Sequence, residues 1–176
     1  LPEQADKKLA RLIKQYGLNE KLAGQLIDSE YIAVFEESAT NSGTPASTIA
    51  AFLTETVKAL KRDGVPTENV ADEQITAIFR AVGAGALAKE AISGVFSWLA
   101  RNEGKTLADA ISSLGLKMFT EAELALIIDR VVSANKAQID KLGKNVFGML
   151  MGAVMKEVRG KCNPELVNKL LKERLK

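Results

Sequence analysis

The amino-acid sequence predicts an all-α protein, a multi-helix bundle of short helices arranged in two parts. Apolar residues recur at the three-to-four-residue spacing of a helix along most of the 176-residue chain. No segment shows the sustained alternation, or the enrichment in β-branched residues, that is typical of a sheet. Glycine, proline and capping residues interrupt the helical pattern at short intervals, so each helix is expected to be short.

The first third of the chain predicts four helices. The first ends at Gly17 and has an apolar face of Leu9, Leu12, Ile13 and Tyr16. Asn19 is expected to cap a short second helix that carries Leu22 and Leu26. A third helix, marked by Tyr31, Val34 and Phe35, precedes a polar connecting stretch at 38–44. Pro45 is placed in the first turn of the fourth helix, which ends at Gly64 and buries Ile49, Phe52, Leu53, Val57 and Leu60.

The middle of the chain continues this alternation of caps and apolar faces. Asp72 is predicted to be the N-cap of a helix that buries Ile75, Ile78, Phe79 and Val82. Glycines at 83 and 85 interrupt the pattern, which resumes with Ala88, Ile92, Val95, Phe96 and Leu99. Two capping boxes then predict helix starts, a variant one of Thr106 with Asp109 and a regular one of Thr120 with Glu123.

Charge divides the chain into two parts. Residues 1–100 carry 10 Lys+Arg and 13 Asp+Glu, whereas residues 101–176 carry 14 and 9. The last 41 residues alone have a net charge of +6. The boundary is predicted between Gly115 and Thr120, which gives a helical region at 1–117 and a small tail of three or four helices at 118–176. Basic charge concentrated at one end favours a polyanionic partner, although a solvated helix surface is the simpler interpretation.

Composition excludes several classes of function. The chain has no histidine and a single cysteine, Cys162, so the usual zinc sites, histidine-based triads and internal disulfides cannot form. No apolar run approaches the roughly 20 residues that cross a bilayer, and we therefore expect no membrane contact and a cytoplasmic location. Carboxylate pairs such as Glu36 with Glu37 are typical of solvated helix surfaces. The residues themselves thus predict no catalytic group, no metal ligand and no cofactor in this chain.

The C-terminal end combines a defined geometry with clustered positive charge. On a helix at 146–159, the core stripe is Phe147, Leu150, Met151, Val154 and Val158. Gly148 and Gly152 lie about one turn apart on another face, and Lys156 and Arg159 project within about 80° of that glycine line. Because a glycine inside a helix costs roughly 1 kcal/mol relative to alanine, the missing side chains are expected to serve the close approach of another backbone.

A basic turn follows that helix. Arg159, Gly160 and Lys161 end it, Asn163 can cap the next helix, and Pro164 suits its first turn. The free N–H groups of that helix start, next to two cations, form a corner suited to phosphate. Two interpretations of the helix pair remain open at this point: a surface for a polyanion, or tight packing of the glycine face on a partner helix in a protein-interaction or scaffold domain.

The same helix pair resembles the C-terminal YqeY-like domain of the B and E subunits of glutamyl-tRNA(Gln)/aspartyl-tRNA(Asn) amidotransferases. The matching stretches are 148–152, 154–156, 159–161 and 163–168, with the leucines at 170 and 171. Weaker matches at 1–3, 16–18, 60–64 and 92–99 extend the likeness over nearly the whole chain. The sequence of the glycine helix, with Met-Lys-Glu-Val-Arg-Gly at 155–160, is more similar to the archaeal E subunit than to the bacterial B subunit. The alternative is that the chain is a free-standing YqeY-like protein.

The resemblance implies a non-catalytic tRNA-binding module, made of a helical linker region and a YqeY-like tail domain. The parent enzyme would convert Glu-tRNA(Gln) to Gln-tRNA(Gln) as a carbon–nitrogen ligase, with ATP and Mg²⁺ held by a cradle domain that would precede Leu1. An amidase- or asparaginase-like partner subunit would deliver ammonia. The partner of this chain would be tRNA, specifically tRNA(Gln), and the residues expected to contact it are Lys144, Gly148, Gly152, Lys156, Arg159, Lys161, Lys169 and Lys172.

Overall fold

The computed structural model describes residues 2–176, which form helices joined by short turns with no strand among them. The predicted all-α class is therefore confirmed. The chain divides into two compact units. The first, here called the helical unit, ends at Leu116, and the second, the tail unit, spans Lys117–Lys176.

Short helices build the helical unit around one aromatic and aliphatic core. Phe35, Phe79 and Phe96 are fully buried. The Phe52 ring meets the Phe79 and Phe96 rings edge to face, at centroid distances of 5.9 and 5.4 Å. The elements in order are α1 (Ala5–Tyr16), α2 (Glu20–Ile27), α3 (Ile32–Asn41), α4 (Ala46–Ala51), a π-helical turn (Phe52–Thr56), α5 (Val57–Arg62), a 3₁₀ turn (Thr67–Asn69), α6 (Asp72–Gly83), a 3₁₀ turn (Lys89–Ala91), α7 (Ile92–Arg101) and α8 (Leu107–Ser113).

Several predicted helix ends are confirmed in atomic detail. Gly17 adopts the left-handed conformation, with a φ of 68°, that ends α1. The Asn19 side-chain oxygen accepts a 2.8 Å hydrogen bond from the Leu22 N–H at the start of α2. Thr106 and Asp109 form the reciprocal pair of a capping box before α8, with bonds of 2.9 and 3.2 Å. Local side-chain chemistry therefore sets these boundaries.

The polar stretch at 38–44 does not behave as the predicted connecting loop. Helix α3 continues through it to Asn41, and Ser38, Ser42 and Thr44 are buried. The Thr44 hydroxyl donates a 2.7 Å hydrogen bond to the carbonyl oxygen of Phe79, which satisfies its burial. Small polar side chains of this kind can enter a core where helices approach closely, so their polarity does not mark a loop.

Two predicted caps are displaced by one residue, and one helix has a different internal structure. Pro45 occupies the N-cap position of α4 rather than its first turn, and Asp72 is the first residue of α6 rather than its cap. The Gln74 side chain accepts the Ala71 N–H at 2.8 Å instead. The predicted fourth helix contains a π turn, in which the Val57 N–H donates to the Phe52 carbonyl five residues earlier.

Four helices form the tail unit, which has its own apolar core. They are α9 (Glu121–Ala134), α10 (Lys136–Leu142), α11 (Phe147–Val158) and α12 (Pro164–Arg174), with a 3₁₀ turn (Gly143–Val146) before α11. Leu124, Leu150 and Val167 are fully buried in this core. The Thr120 hydroxyl accepts the Glu123 N–H at 3.1 Å, and within the described residues only this half of the predicted capping box is present. The Phe119 N–H donates to the Lys161 carbonyl at 2.7 Å and joins the start of the unit to the turn between α11 and α12.

Candidate nucleic-acid interface

Helix α11 separates an apolar face from a glycine face. Leu150, Val154 and Val158 are fully buried in the tail-unit core. Gly148 and Gly152 are exposed, and at 100° per residue they lie on the side of the helix away from those three residues. The arrangement predicted from spacing is therefore present: one stripe of α11 packs inward and the glycine line faces solvent.

The glycine line is open space. A Cβ atom built on Gly148 or Gly152 meets no atom of the described chain within 4 Å. Within the tail unit, the two glycines therefore do not serve tight helix packing. Each still carries the helix-propensity cost of roughly 1 kcal/mol relative to alanine. The open glycine line leaves the α11 backbone accessible to a partner.

The turn after α11 places two cations before the start of α12, but the free N–H groups predicted there are wrong. Pro164 has no N–H, and Asn163 accepts the N–H groups of Glu165, Leu166 and Val167. Arg159 is the C-cap of α11 rather than a helical residue: its φ of −54° keeps the helical direction of its side chain, and its ψ of 131° ends the helix. Gly160 then adopts a φ of +78°, which a side chain would strain. The Asn163 side chain accepts the Glu165 N–H at 3.0 Å, and Pro164 is the first residue of α12. Arg159 and Lys161 therefore lie in the short turn that leads directly to the capped start of α12.

The cations of the tail unit fall into two groups. The unit contains 12 Lys+Arg and 7 Asp+Glu, a net charge of +5. Arg130 pairs with Glu157, and Arg174 pairs with Asp129 at 2.8 Å. The second group consists of the ten cations that form no ion pair within residues 2–176. Six members of this group, all exposed, are the cations that sequence reasoning selected. They are Lys144, Lys156, Arg159, Lys161, Lys169 and Lys172.

Phe147 brings α12 next to the start of the glycine line. The Lys172 ammonium lies 5.9 Å from the centroid of the Phe147 ring, a cation–π contact between α12 and the first residue of α11. Lys144 lies in the 3₁₀ turn that leads into the same end of α11. At the other end, Lys156 is in the last turn of α11, just before the Arg159–Lys161 turn. We call the exposed set of Lys144, Gly148, Gly152, Lys156, Arg159, Lys161, Lys169 and Lys172 the basic face.

Sequence reasoning missed two features of this surface. One is the neutralisation of Arg130 and Arg174 by carboxylates from other helices of the unit, which removes them from the free cations. The other is Met149, whose side chain is 44% exposed next to Gly148. A signal for Met149 was available, since at 100° per residue it falls on the glycine side of α11.

Cys162 belongs to the core and not to the basic face. Its side chain is buried, and its Sγ lies 4.0 Å from the Met155 sulfur. Burial raises the pKa of the Cys162 thiol, which keeps it protonated and poorly nucleophilic at neutral pH.

Residues 2–176 lack two kinds of feature. In that part of the chain, no helix has the length and apolar character needed to cross a bilayer. The same residues contain no group of three or more cysteine, aspartate or glutamate side chains placed to hold a metal ion.

Comparison with known proteins gives consistent matches over the whole chain. A family model described as the GatB domain matches residues 33–175. The E subunit of glutamyl-tRNA(Gln) amidotransferase from Methanococcus maripaludis is 32% identical over 177 residues and covers 100% of the chain. The proteins of the same name from Methanospirillum hungatei and Thermococcus gammatolerans are 36% and 34% identical and cover 98% and 99% of it. The chain spans 28% of the length of each of these relatives, in their C-terminal part.

Proposed function

The chain belongs to the GatB domain family, and on that premise we propose that it is the tRNA-binding part of a glutamyl-tRNA(Gln) amidotransferase subunit of the E type. The helical unit is the linker region and the tail unit is the YqeY-like tail domain. In the whole protein, ATP- and Mg²⁺-dependent amidation takes place in a separate cradle domain, with ammonia supplied by an amidase-like partner subunit in the cytoplasm. This chain contributes binding of tRNA(Gln) rather than chemistry.

The proposal depends on one observation: the cations of the basic face form no ion pair within the described residues. Six exposed cations without a carboxylate partner in the described residues lie in α11, in the turns that flank it and in α12, and α11 carries the open glycine line. Lysines and arginines that neutralise phosphates release condensed counterions, and this release supplies much of the affinity of nucleic-acid complexes. Cations already paired within the protein, such as Arg130 and Arg174, offer much less. The free set therefore favours a polyanion over a neutral partner.

The geometry also supports the way in which RNA would be held. Without side chains at Gly148 and Gly152, a ribose-phosphate backbone can approach the helix backbone directly. The start of α12, the positive end of that helix dipole, directly follows Arg159 and Lys161 in the chain, which suits one phosphate. Aromatic residues are only 5% of the chain, so stacking on bases contributes little. Recognition then depends on phosphate contacts and on the shape of the folded RNA.

The proposal is tested with the double variant Lys156→Ala/Arg159→Ala. We expect its affinity for an unmodified tRNA(Gln) transcript to fall roughly ten- to hundredfold at about 0.1 M salt, because two phosphate contacts are lost. The slope of log affinity against log salt should become shallower by about 2. Fluorescence anisotropy over a salt series measures both quantities, with a second tRNA that lacks the expected recognition elements titrated alongside.

Lys136→Ala/Lys141→Ala is the matched control, since both lysines are exposed on the tail unit in α10 and the net charge changes equally. This control should bind nearly as the unchanged protein does. Equal losses in the two double variants would show that binding follows net charge alone, and the basic face would then not be the site. Unchanged binding by Lys156→Ala/Arg159→Ala would likewise refute the assignment.

A further inference from the structure

One backbone hydrogen bond of the tail unit differs from the others in its range. The Phe119 N–H donates to the Lys161 carbonyl oxygen at 2.7 Å, although the two residues are far apart in the chain. Every other backbone bond that residues 2–176 form in turns, loops and caps joins residues within about two helical turns of each other. Because helices satisfy their backbone groups locally, this bond indicates an irregular segment that is held in place from outside.

The bond falls on the basic turn, Arg159–Lys161. Helix α11 holds one side of this turn, since the N–H groups of Arg159 and Lys161 donate to carbonyls of its last turn, both at 2.9 Å. Gly160 lies between them with a φ of +78°, which lets the chain leave the helix sharply. The helix therefore fixes the N–H side of Lys161, and the Phe119 N–H fixes its carbonyl side.

Phe119 is itself held firmly. Its ring packs against the apolar core of the tail unit. The next residue, Thr120, caps α9 by accepting the Glu123 N–H at 3.1 Å, and α9 packs against both α11 and α12. The donor of the long-range bond is thus carried by a segment that the core and a helix cap both fix, so the bond transmits the position of the core to the basic turn.

A turn that is held on both sides has consequences for binding. A flexible turn must lose conformational freedom when a ligand orders it, and this loss subtracts from the affinity. The basic turn has already lost that freedom on folding. Arg159 and Lys161 are nevertheless exposed and form no ion pair within residues 2–176, so their charges stay available. The bond therefore organises two free cations before any ligand arrives.

We propose that Phe119 is a positioning residue for RNA binding, because its N–H holds the basic turn in the arrangement in which Arg159 and Lys161 meet phosphates together. This role rests on the proposed function, since it requires that the basic turn contacts RNA. Phe119 acts through the Lys161 backbone and needs no contact with RNA itself. A residue before α9 thus supports a binding surface built from α11 and α12.

The test is a cycle of variants of the full chain, titrated with the tRNA(Gln) transcript by fluorescence anisotropy. Phe119→Pro removes the N–H donor and should lower the affinity roughly three- to tenfold at about 0.1 M salt. In a chain that already carries Arg159→Ala/Lys161→Ala, the same change should lower the affinity by less than about twofold, because the cations that it positions are gone. A general loosening of the tail unit would weaken binding equally in both backgrounds.

Two further variants isolate the hydrogen bond. Met118→Pro is the matched control, since it adds a proline to the same segment at a position whose N–H donates to no residue that the structure describes; it should bind as the unchanged protein does. Phe119→Leu keeps the N–H and an apolar side chain and should recover most of the affinity that Phe119→Pro loses. Equal losses in Phe119→Leu and Phe119→Pro would assign the effect to the ring and overturn the role of the hydrogen bond.

Amide hydrogen exchange tests the bond without RNA. In the unchanged protein, the Phe119 amide should exchange at least about a hundredfold more slowly than in an unstructured chain. An unprotected amide overturns the proposal, and so do equal losses from Phe119→Pro in the two backgrounds, whatever the basic face does. If Arg159→Ala/Lys161→Ala binds RNA as tightly as the unchanged protein, the proposed contact of the basic turn fails and the positioning role fails with it. Circular dichroism confirms that each variant is folded.

Discussion

Replacing Gly152 with leucine should stabilise the tail unit and weaken RNA binding at the same time. Gly152 lies in the interior of α11, and a Cβ atom there meets no described atom within 4 Å. The fold therefore gains the helix propensity of leucine over glycine, about 0.7 to 1 kcal/mol, with no clash to offset it. In a unit of this size, that gain corresponds to a rise in melting temperature of roughly 3 to 8 °C.

The binding loss has a different origin. A leucine side chain at position 152 would occupy the open line through which we propose that the ribose-phosphate backbone approaches α11. It would hold that backbone away from Lys156 and Arg159, so several phosphate contacts would lengthen together. We expect at least a tenfold loss of affinity for the tRNA(Gln) transcript at about 0.1 M salt. Stability and affinity would thus change in opposite senses.

Gly94→Leu provides the matched control for this prediction. Gly94 is an exposed glycine inside α7 of the helical unit, and a Cβ atom there also meets no described atom within 4 Å. It should give a similar stability gain with unchanged RNA affinity. Thermal unfolding followed by circular dichroism and anisotropy titration measure the two effects. If Gly152→Leu destabilises the protein, the open-face reasoning is wrong; if it binds RNA normally, the glycine line is not an RNA contact.

Two further predictions concern the stability of the helical unit. Gly83→Ala should destabilise it by about 1 to 3 kcal/mol in urea unfolding, because the added Cβ would lie 1.8 Å from the Ser42 carbonyl oxygen and the backbone must move, whereas Gly94→Ala should be neutral or stabilising. The Arg11 guanidinium hydrogen-bonds Glu36 and lowers the pKa of that carboxyl below its ordinary value of 4.5. This stabilisation is complete above the ordinary pKa and is lost as pH falls through the lowered one, so Glu36→Gln should be less stable at neutral pH but lose less stability on acidification to about pH 3. A variant that keeps the full acid dependence would refute this role for Glu36.

The fold was predictable wherever local chemistry decides it. Asn19 and Thr106 cap their helices through their own side chains, and Gly17 ends α1 through its own backbone conformation. The prediction failed where tertiary packing decides. Ser38 is fully buried in α3 although its neighbourhood reads as a loop, because helices that pack closely accept small side chains of either polarity. The spacing of the apolar residues does not reveal the π turn before α5. An apolar residue faces the core whether the helix is regular or contains the extra residue of the π turn.

The basic face was predictable for a related reason. Projection at 100° per residue places Gly148 and Gly152 away from the core from sequence alone. The resemblance to the amidotransferase subunits adds the expectation that this glycine line contacts tRNA. The sequence alone does not show which residues cover a glycine or pair with a cation. Whether a glycine faces a neighbouring helix or solvent depends on the helix packed beside it, and whether a cation is free depends on carboxylates far along the chain, as with Arg174 and Asp129.

Pairing within the tail unit neutralises two of its cations and leaves the others without an ion pair in residues 2–176. The carboxylates of the tail unit are fewer than its cations, and two of them neutralise Arg130 and Arg174 on or beside the packed helices. Of the ten cations left over, Lys156 and Arg159 lie on the glycine side of α11, where the helix backbone is also uncovered. Free charge and accessible backbone thus coincide on one face. Because a surface that served only solubility would not require exposed glycines at a cost in helix stability, this coincidence is the strongest physical argument for a bound polyanion.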